Sequence, residues 1–227
     1  MKFAIVSQNN HSIINKLKSM KLKIVKDDPD IVISIGGDGT ILLSERLYPS
    51  IPKLVIKTSN TCRKCQYKPN QIKPILRVVM EGKYKIKEEK KIEAIFKGIR
   101  ITALNEIQLH NKKPTVALRF SVRSNGFKQK NIIGDGLIIA TPFGSTAYYN
   151  SITGRTFNKG IGLAFNNAHN IKTKGIVLNE KSKINVKVLR ESGWLIRDND
   201  DKFVSVNEGE SFKAFISKNV AKFIKFY

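Results

Sequence analysis

The run Gly36-Gly37-Asp38-Gly39-Thr40 puts three glycines and one carboxylate in a single bend, directly after the β-branched stretch Ile31-Val32-Ile33-Ser34-Ile35. Glycines permit positive φ and let a ligand approach the backbone closely, and the amides that open a helix favour an anion. A carboxylate repels phosphate, so Asp38 asks for more than passive anion binding. It can take a proton from an attacking hydroxyl, or hold a divalent cation against a polyphosphate. Phosphoryl transfer needs little beyond positioning, charge neutralisation and an oriented nucleophile. The plainer alternative is an Asp that caps the helix behind it.

A second bend carries different chemistry. Gly134-Asp135-Gly136 leads into the apolar run Leu137–Ala140, followed by Thr141-Pro142-Phe143-Gly144-Ser145-Thr146-Ala147-Tyr148. The order reads as strand, turn at Gly144, and a helix capped by Ser145 or Thr146. Hydroxyls, free amides and the aromatic face of Tyr148 suit an adenine or a ribose. The cysteines, Cys62 and Cys65, form one C-x-x-C. That is half a zinc site, and no histidine stands at metal-site spacing from it, so the pair reads as two reduced thiols in a loop.

The elements that must position these bends alternate at first between strand and helix. Lys2–Ser7, Leu22–Val25, Ile31–Ile35 and Lys53–Lys57 read as strands; Asn10–Met20, Thr40–Tyr48 and Gln71–Gly82 read as helices. This alternation predicts a Rossmann-like parallel sheet. Beyond Tyr84 the pattern changes to short strands between turns: Lys91–Phe96, Ile99–Leu109, Thr115–Val122, Gly136–Ala140, Gly162–Phe165, Ile184–Leu189 and Phe203–Val206. The fold class is therefore an α/β N-terminal domain followed by a mostly-β sandwich domain. The domains are placed at 1–84 and 85–211, and the alternating stretch 212–227 can return to the first.

Composition narrows the class. With 41 Lys+Arg against 18 Asp+Glu, the formal charge is +23. Such a field attracts nucleic acid, anionic membrane or phosphorylated metabolites. The lysines are spread along the whole chain, and the dense segment Lys83–Lys97 is interleaved with Glu88, Glu89 and Glu93. This argues for solvated faces and sets nucleic acid aside as the main partner. No run approaches the ~20 apolar residues of a membrane span, and the apolar start is too short for a signal peptide, so a cytoplasmic protein is expected.

Taken together, the two bends resemble the NAD kinase family. The GGDGT run at 36–40 is similar to its first signature, Asn105-Glu106 to its Asn-Glu/Asp pair, and GDG at 134–136 with TPFGSTAY at 141–148 to its third. Ala168-His169-Asn170 followed by Gly175–Leu178 is a weaker match. The chain departs from the family at Phe143, where Thr is usual, at Ile133, where a basic residue is common, and at 58–65, where a glycine-rich segment is replaced by TSNTCRKC.

The resemblance implies transfer of the terminal phosphoryl of ATP or polyphosphate to the 2′-hydroxyl of the adenosine ribose of NAD, giving NADP. It implies Asp38 as general base, with Gly39 beside it in the nucleotide site. Asn105 and Glu106 would hold the ribose and phosphate region, Asp135 the nicotinamide end, and Thr146, Ala147, Tyr148 and Ser151 the adenosine. It further implies Mg²⁺ or a similar ion and a homodimer or homotetramer. The competing readings are a related lipid or sugar kinase with the same glycine bend, and a non-catalytic nucleotide- or nucleic-acid-binding protein.

Overall fold

The computed structural model describes residues 1–7 and 10–226. The chain forms two compact units, Met1–Glu89 with Val220–Tyr227, and Lys90–Asn219.

In the first unit, β1 (Lys2–Ser7), β2 (Lys23–Ile24), β3 (Ile31–Gly36) and β4 (Lys53–Lys57) form a parallel sheet in the order β2-β1-β3-β4. The end of the last strand, β16 (Ser211–Lys225), joins β4 in parallel at Phe223 opposite Lys53. All six residues of β3 are buried, as expected of a β-branched run covered on both faces. Helices α1 (His11–Lys18) and α3 (Ile72–Met80) supply Leu17, Ile72, Leu76 and Val79 to one core with Phe3, Ile33, Leu54 and Ile56. Helix α2 (Asp38–Leu47) supplies Leu43 to a second core, against Ala4, Val6 and Val32. Fully buried Lys53 pairs with Glu45 and donates to the Tyr48 carbonyl at 2.7 Å. Each charge therefore has a partner where water is excluded.

The second unit is a sandwich of antiparallel sheets. One runs β12 (Gly175–Leu178), β11 (Ile161–Asn166), β10 (Gly136–Ala140), β7 (Glu106–Asn111), β14 (Gly193–Arg197), β15 (Val204–Val206). The other contains β13 (Ile184–Arg190), β8 (Leu118–Ser124) and β9 (Phe127–Gly134) beside the first part of β16, with the hairpin of β5 (Lys85–Phe96) and β6 (Ile99–Ala103). Inward residues of both sheets, among them Ile92, Phe120 and Val186 from one and Leu109, Ile139 and Leu163 from the other, make one core. The expected fold class is borne out. Three details differ. Ile99–Leu109 is two strands, broken at Leu104-Asn105; β9 and β14 had no clear alternation to announce them; and β16 serves both units, with Val220 onward in the first.

Candidate active site

In the first unit the glycine bend follows the carboxyl end of β3, where open α/β sheets bind ligands. Gly36 and Gly37 work by close packing, and neither has a positive φ. A Cβ on Gly36 would lie 2.1 Å from Thr40 Oγ1, and one on Gly37 would lie 3.2 Å from Ser59 Cβ. Gly37 is the N-cap of α2, and Asp38 is the first helical residue, with no side-chain cap bond. Gly37 has no side chain to cap with, and the half-buried Asp38 carboxylate is not turned back on the α2 amides. Instead Oδ2 accepts from the Arg63 amide at 3.1 Å and Oδ1 from the Lys64 amide at 3.0 Å. Burial pushes the Lys64 ammonium below its ordinary range, with Glu89 and Asp38 pulling it back up.

The loop that touches Asp38 also overturns the reading of the cysteines. Cys62 and Cys65 are joined as a disulfide, with Cα atoms 5.6 Å apart, inside the usual range for such a bridge. Three residues apart on a tight turn, they have little freedom to separate. Cys62 Sγ lies 3.0 Å from Asp38 Oδ1, and Cys65 Sγ lies 3.4 Å from the Gly36 carbonyl.

In the second unit, Asn105-Glu106 sits at the break between β6 and β7. Three successive amides, those of Leu104, Asn105 and Glu106, donate to the Asp198 carboxylate at 2.9, 2.7 and 3.2 Å, which is why the strand breaks here. The following turn locks onto the same backbone. Thr141 Oγ1 donates to the Leu104 carbonyl at 2.6 Å and accepts from the Gly144 amide at 3.0 Å. A Cβ on Gly144 would lie 2.2 Å from the Asn105 carbonyl oxygen, so only glycine fits. Glu106 is 2% exposed. Burial, reinforced by the nearby Asp198 carboxyl, pushes its pKa up to about 8. Gln108 donates to Oε1 at 3.4 Å, while Oε2 has no hydrogen-bond partner. A protonated Glu106 is a buried donor waiting for an acceptor. Burial also raises Asp198, against the pull of its three amides.

Asp135 lies at the other end of the β10–β7 pair: Gly136 is opposite His110 and Ala140 opposite Glu106. At ~3.4 Å per residue, the four intervening steps keep Asp135 roughly 13 Å or more from the Glu106 backbone. Asp135 Oδ2 accepts from Asn167 Nδ2 at 2.6 Å. The flanking glycines are again required by packing, since a Cβ would meet the Ala168 backbone at 2.8 Å from Gly134 or the Leu109 carbonyl at 1.9 Å from Gly136. Asn167 continues into a cavity of about 650 Å³ whose lining includes Tyr148, Ser151, Phe165, Ala168 and His169. Asp135, Tyr148, Ser151 and His169 thus fall in one neighbourhood, Asn105 and Glu106 in another, and Asp38 and Gly39 belong to the first unit. Thr146 and Ala147 precede the cavity. The expected cap is corrected: a 3₁₀ turn, Gly144–Thr146, intervenes, so Ala147 is the N-cap of α4 (Tyr148–Thr153) and Ser145 Oγ donates to the Pro142 carbonyl at 2.8 Å. Tyr148 is 55% exposed, its ring free to stack.

The sequence reading missed Asp198, Asn167 and the contact of the C-x-x-C loop with Asp38. The acidic run Asp198-Asn199-Asp200-Asp201 was the available signal for the first.

The chain is similar to known proteins of one family. The family model described as ATP-NAD kinase C-terminal domain matches residues 104–226, more than half the chain. The NAD kinase of Sulfurisphaera tokodaii is 32% identical across all of this chain and 96% of its own length. That of Thermoplasma acidophilum is 24% identical over 96% of this chain and 81% of its own. Among solved structures, an Archaeoglobus fulgidus NAD kinase in complex with ATP superposes with TM-score 0.81 at 23% identity, covering 99% of this chain and 94% of its own. Yeast NADH kinase complexed with NADH gives TM-score 0.88 at 15% identity, over 100% and 84%. At those identities the structural likeness speaks for the fold. The family-model match and the 32% identity over the whole chain carry the conclusion: this chain belongs to the NAD kinase family.

Proposed function

We propose that this chain transfers the terminal phosphoryl group of ATP or polyphosphate to the 2′-hydroxyl of the adenosine ribose of NAD, giving NADP, with Asp38 as general base. The single observation that carries the base assignment is the position of Asp38. It is a half-buried carboxylate on the first helical residue after a glycine bend, and its backbone hydrogen bonds come from the 62–65 loop, not from the helix.

NAD recognition falls to the second unit. The exposed face of Tyr148, with Ser151 beside it and Thr146 and Ala147 leading in, suits the adenosine. The free Glu106 Oε2, steadied with Asn105 by Asp198, suits a ribose hydroxyl or a phosphate oxygen. Asp135, held by Asn167, takes the nicotinamide end. Gly39 completes the nucleotide site beside Asp38.

A magnesium ion would supply charge neutralisation on the donor's phosphates. The grouping of three metal-ligating side chains among the described residues is Asp38, Cys62 and Cys65, and two sulfurs do not suit a hard cation. Such an ion would travel on the polyphosphate's own oxygens.

Assembly as a homodimer or homotetramer and residence in the cytoplasm complete the proposal. No helix among the described residues is long and apolar enough to cross a membrane. Purified protein assayed with ATP and polyphosphate as donors, against NAD, NADH, a diacylglycerol and a sugar phosphate, tests the reading. NADP formation from NAD is expected. Phosphorylation of another acceptor in its place, or no NADP with any donor, would contradict it.

A further inference from the structure

We propose that Cys62 and Cys65 form a redox-active site, reversibly reduced by a dithiol, whose disulfide state clamps the 62–65 loop onto Asp38 and slows phosphoryl transfer. The inference rests on the assignment of Asp38 as the base. The disulfide closes a loop whose two inner residues, Arg63 and Lys64, place their amides on the two oxygens of the Asp38 carboxylate. Cys62 Sγ packs against Oδ1 as well. An incoming sugar hydroxyl must compete with these groups for a carboxylate oxygen.

Three observations separate this pair from an inert cross-link. First, the bridge spans only three residues, so it restrains little of the unfolded chain and contributes little to global stability. Second, both redox states are accommodated. A disulfide sulfur has no proton to give, yet each sulfur faces an oxygen, Cys62 the carboxylate at 3.0 Å and Cys65 the Gly36 carbonyl at 3.4 Å. After reduction the Cys65 thiol has the Gly36 carbonyl as acceptor, and the Cys62 thiol offers the carboxylate only a weak S–H donor that leaves with the loop. Third, the two sulfurs differ in access: Cys65 is partly exposed, while Cys62 is 8% exposed. The Asp38 carboxylate beside Cys62 opposes a thiolate there, so Cys62 is released as the thiol and Cys65 is the sulfur open to attack.

The exchange balances. A thiolate of the dithiol attacks Cys65 Sγ, the Cys62–Cys65 bond breaks, and Cys62 leaves with the electron pair and takes up a proton. The second thiolate of the dithiol then displaces Cys65 from the mixed disulfide. The protein gains two thiols, and the dithiol is oxidised to its own disulfide. The loop, no longer tied at its base, can leave the carboxylate.

Full-length protein is equilibrated in mixtures of reduced and oxidised dithiothreitol with a chelator present, then moved into donor, NAD and Mg²⁺. Alkylation and intact mass count the thiols, and NADP formation gives kcat. The expected result is a thiol count rising from zero to two in one transition, with kcat rising about tenfold along the same curve, the rate equivalent of losing one charge-assisted hydrogen bond. Cys65→Ser is expected to hold the faster rate at every mixture. If that variant does not fold, the wild-type curve decides alone. Two thiols in every mixture, a rate that ignores the thiol count, or a rate that falls on reduction would each overturn the proposal. The base assignment fails separately: Asp38→Asn with full turnover sinks it, and with it the clamp's target. A rate indifferent to thiol state, alongside an inactive Asp38→Asn, sinks the clamp alone.

Discussion

Two carboxyl groups of this chain, on Asp38 and Glu106, sit in opposite surroundings. At Asp38 the carboxylate is half-buried, on the first residue of α2, held by amides from a loop. At Glu106 the carboxyl is buried, pushed to a pKa of about 8, and lacks a partner on one oxygen. The first arrangement offers an accessible acceptor for a proton; the second offers a neutral donor at neutral pH. Exposure, more than residue type, separates the acid assigned to chemistry from the acid assigned to recognition.

The comparison can be broken at several points. The largest effect is expected at Asp38: replacement by Asn should lower NADP formation by about 10²–10⁴-fold, read in a coupled assay. Next is the buried ion pair that ties the end of α2 to the start of β4. Lys53→Met leaves Glu45 buried without its partner and should cost about 3–5 kcal/mol, read from the denaturant midpoint. A smaller loss, about 1–3 kcal/mol, is expected for Gly144→Ala, whose methyl would collide with the Asn105 carbonyl. That variant should also raise the KM for NAD, because it displaces Asn105 and Glu106.

Glu106 gives a pH test with a definite sign. Its folded pKa, about 8, stands above the ordinary value of 4.5, so the folded state binds more protons between those two values. Stability from this group is complete below about pH 4.5 and declines as pH rises through 8, at no more than about 1.4 kcal/mol per pH unit. Glu106→Gln, a permanent neutral donor, should flatten that decline and keep NAD affinity near that of the parent at pH 7. The smallest effect is expected at Tyr148, where replacement by Ala should raise the KM for NAD roughly tenfold through lost stacking and contact area.

Legibility followed the range of the interactions. The bend after β3 and the bend after β10 are written in consecutive residues, so their glycines, acids and flanking apolar runs were readable. Lys53–Lys57 and Gly136–Ala140 were bounded as the structure has them, because Pro, Gly and turn residues flank them. What escaped notice was set by partners far away in the chain. Asp198 breaks Ile99–Leu109 into two strands from 93 residues beyond Asn105. Similarly, the loop at 62–65 reaches back to Asp38 from 25 and 26 residues on. A local error had a local cause: the cap before α4 yielded to a 3₁₀ turn.

The most direct test of the central claim pairs two numbers on one variant. For Asp38→Asn, calorimetry gives the NAD dissociation constant, and single-turnover mixing with ATP gives the rate of NADP formation. The account predicts a dissociation constant within about threefold of the parent and a rate lower by at least about 10². A variant that binds NAD normally and turns it over at the parental rate would contradict it.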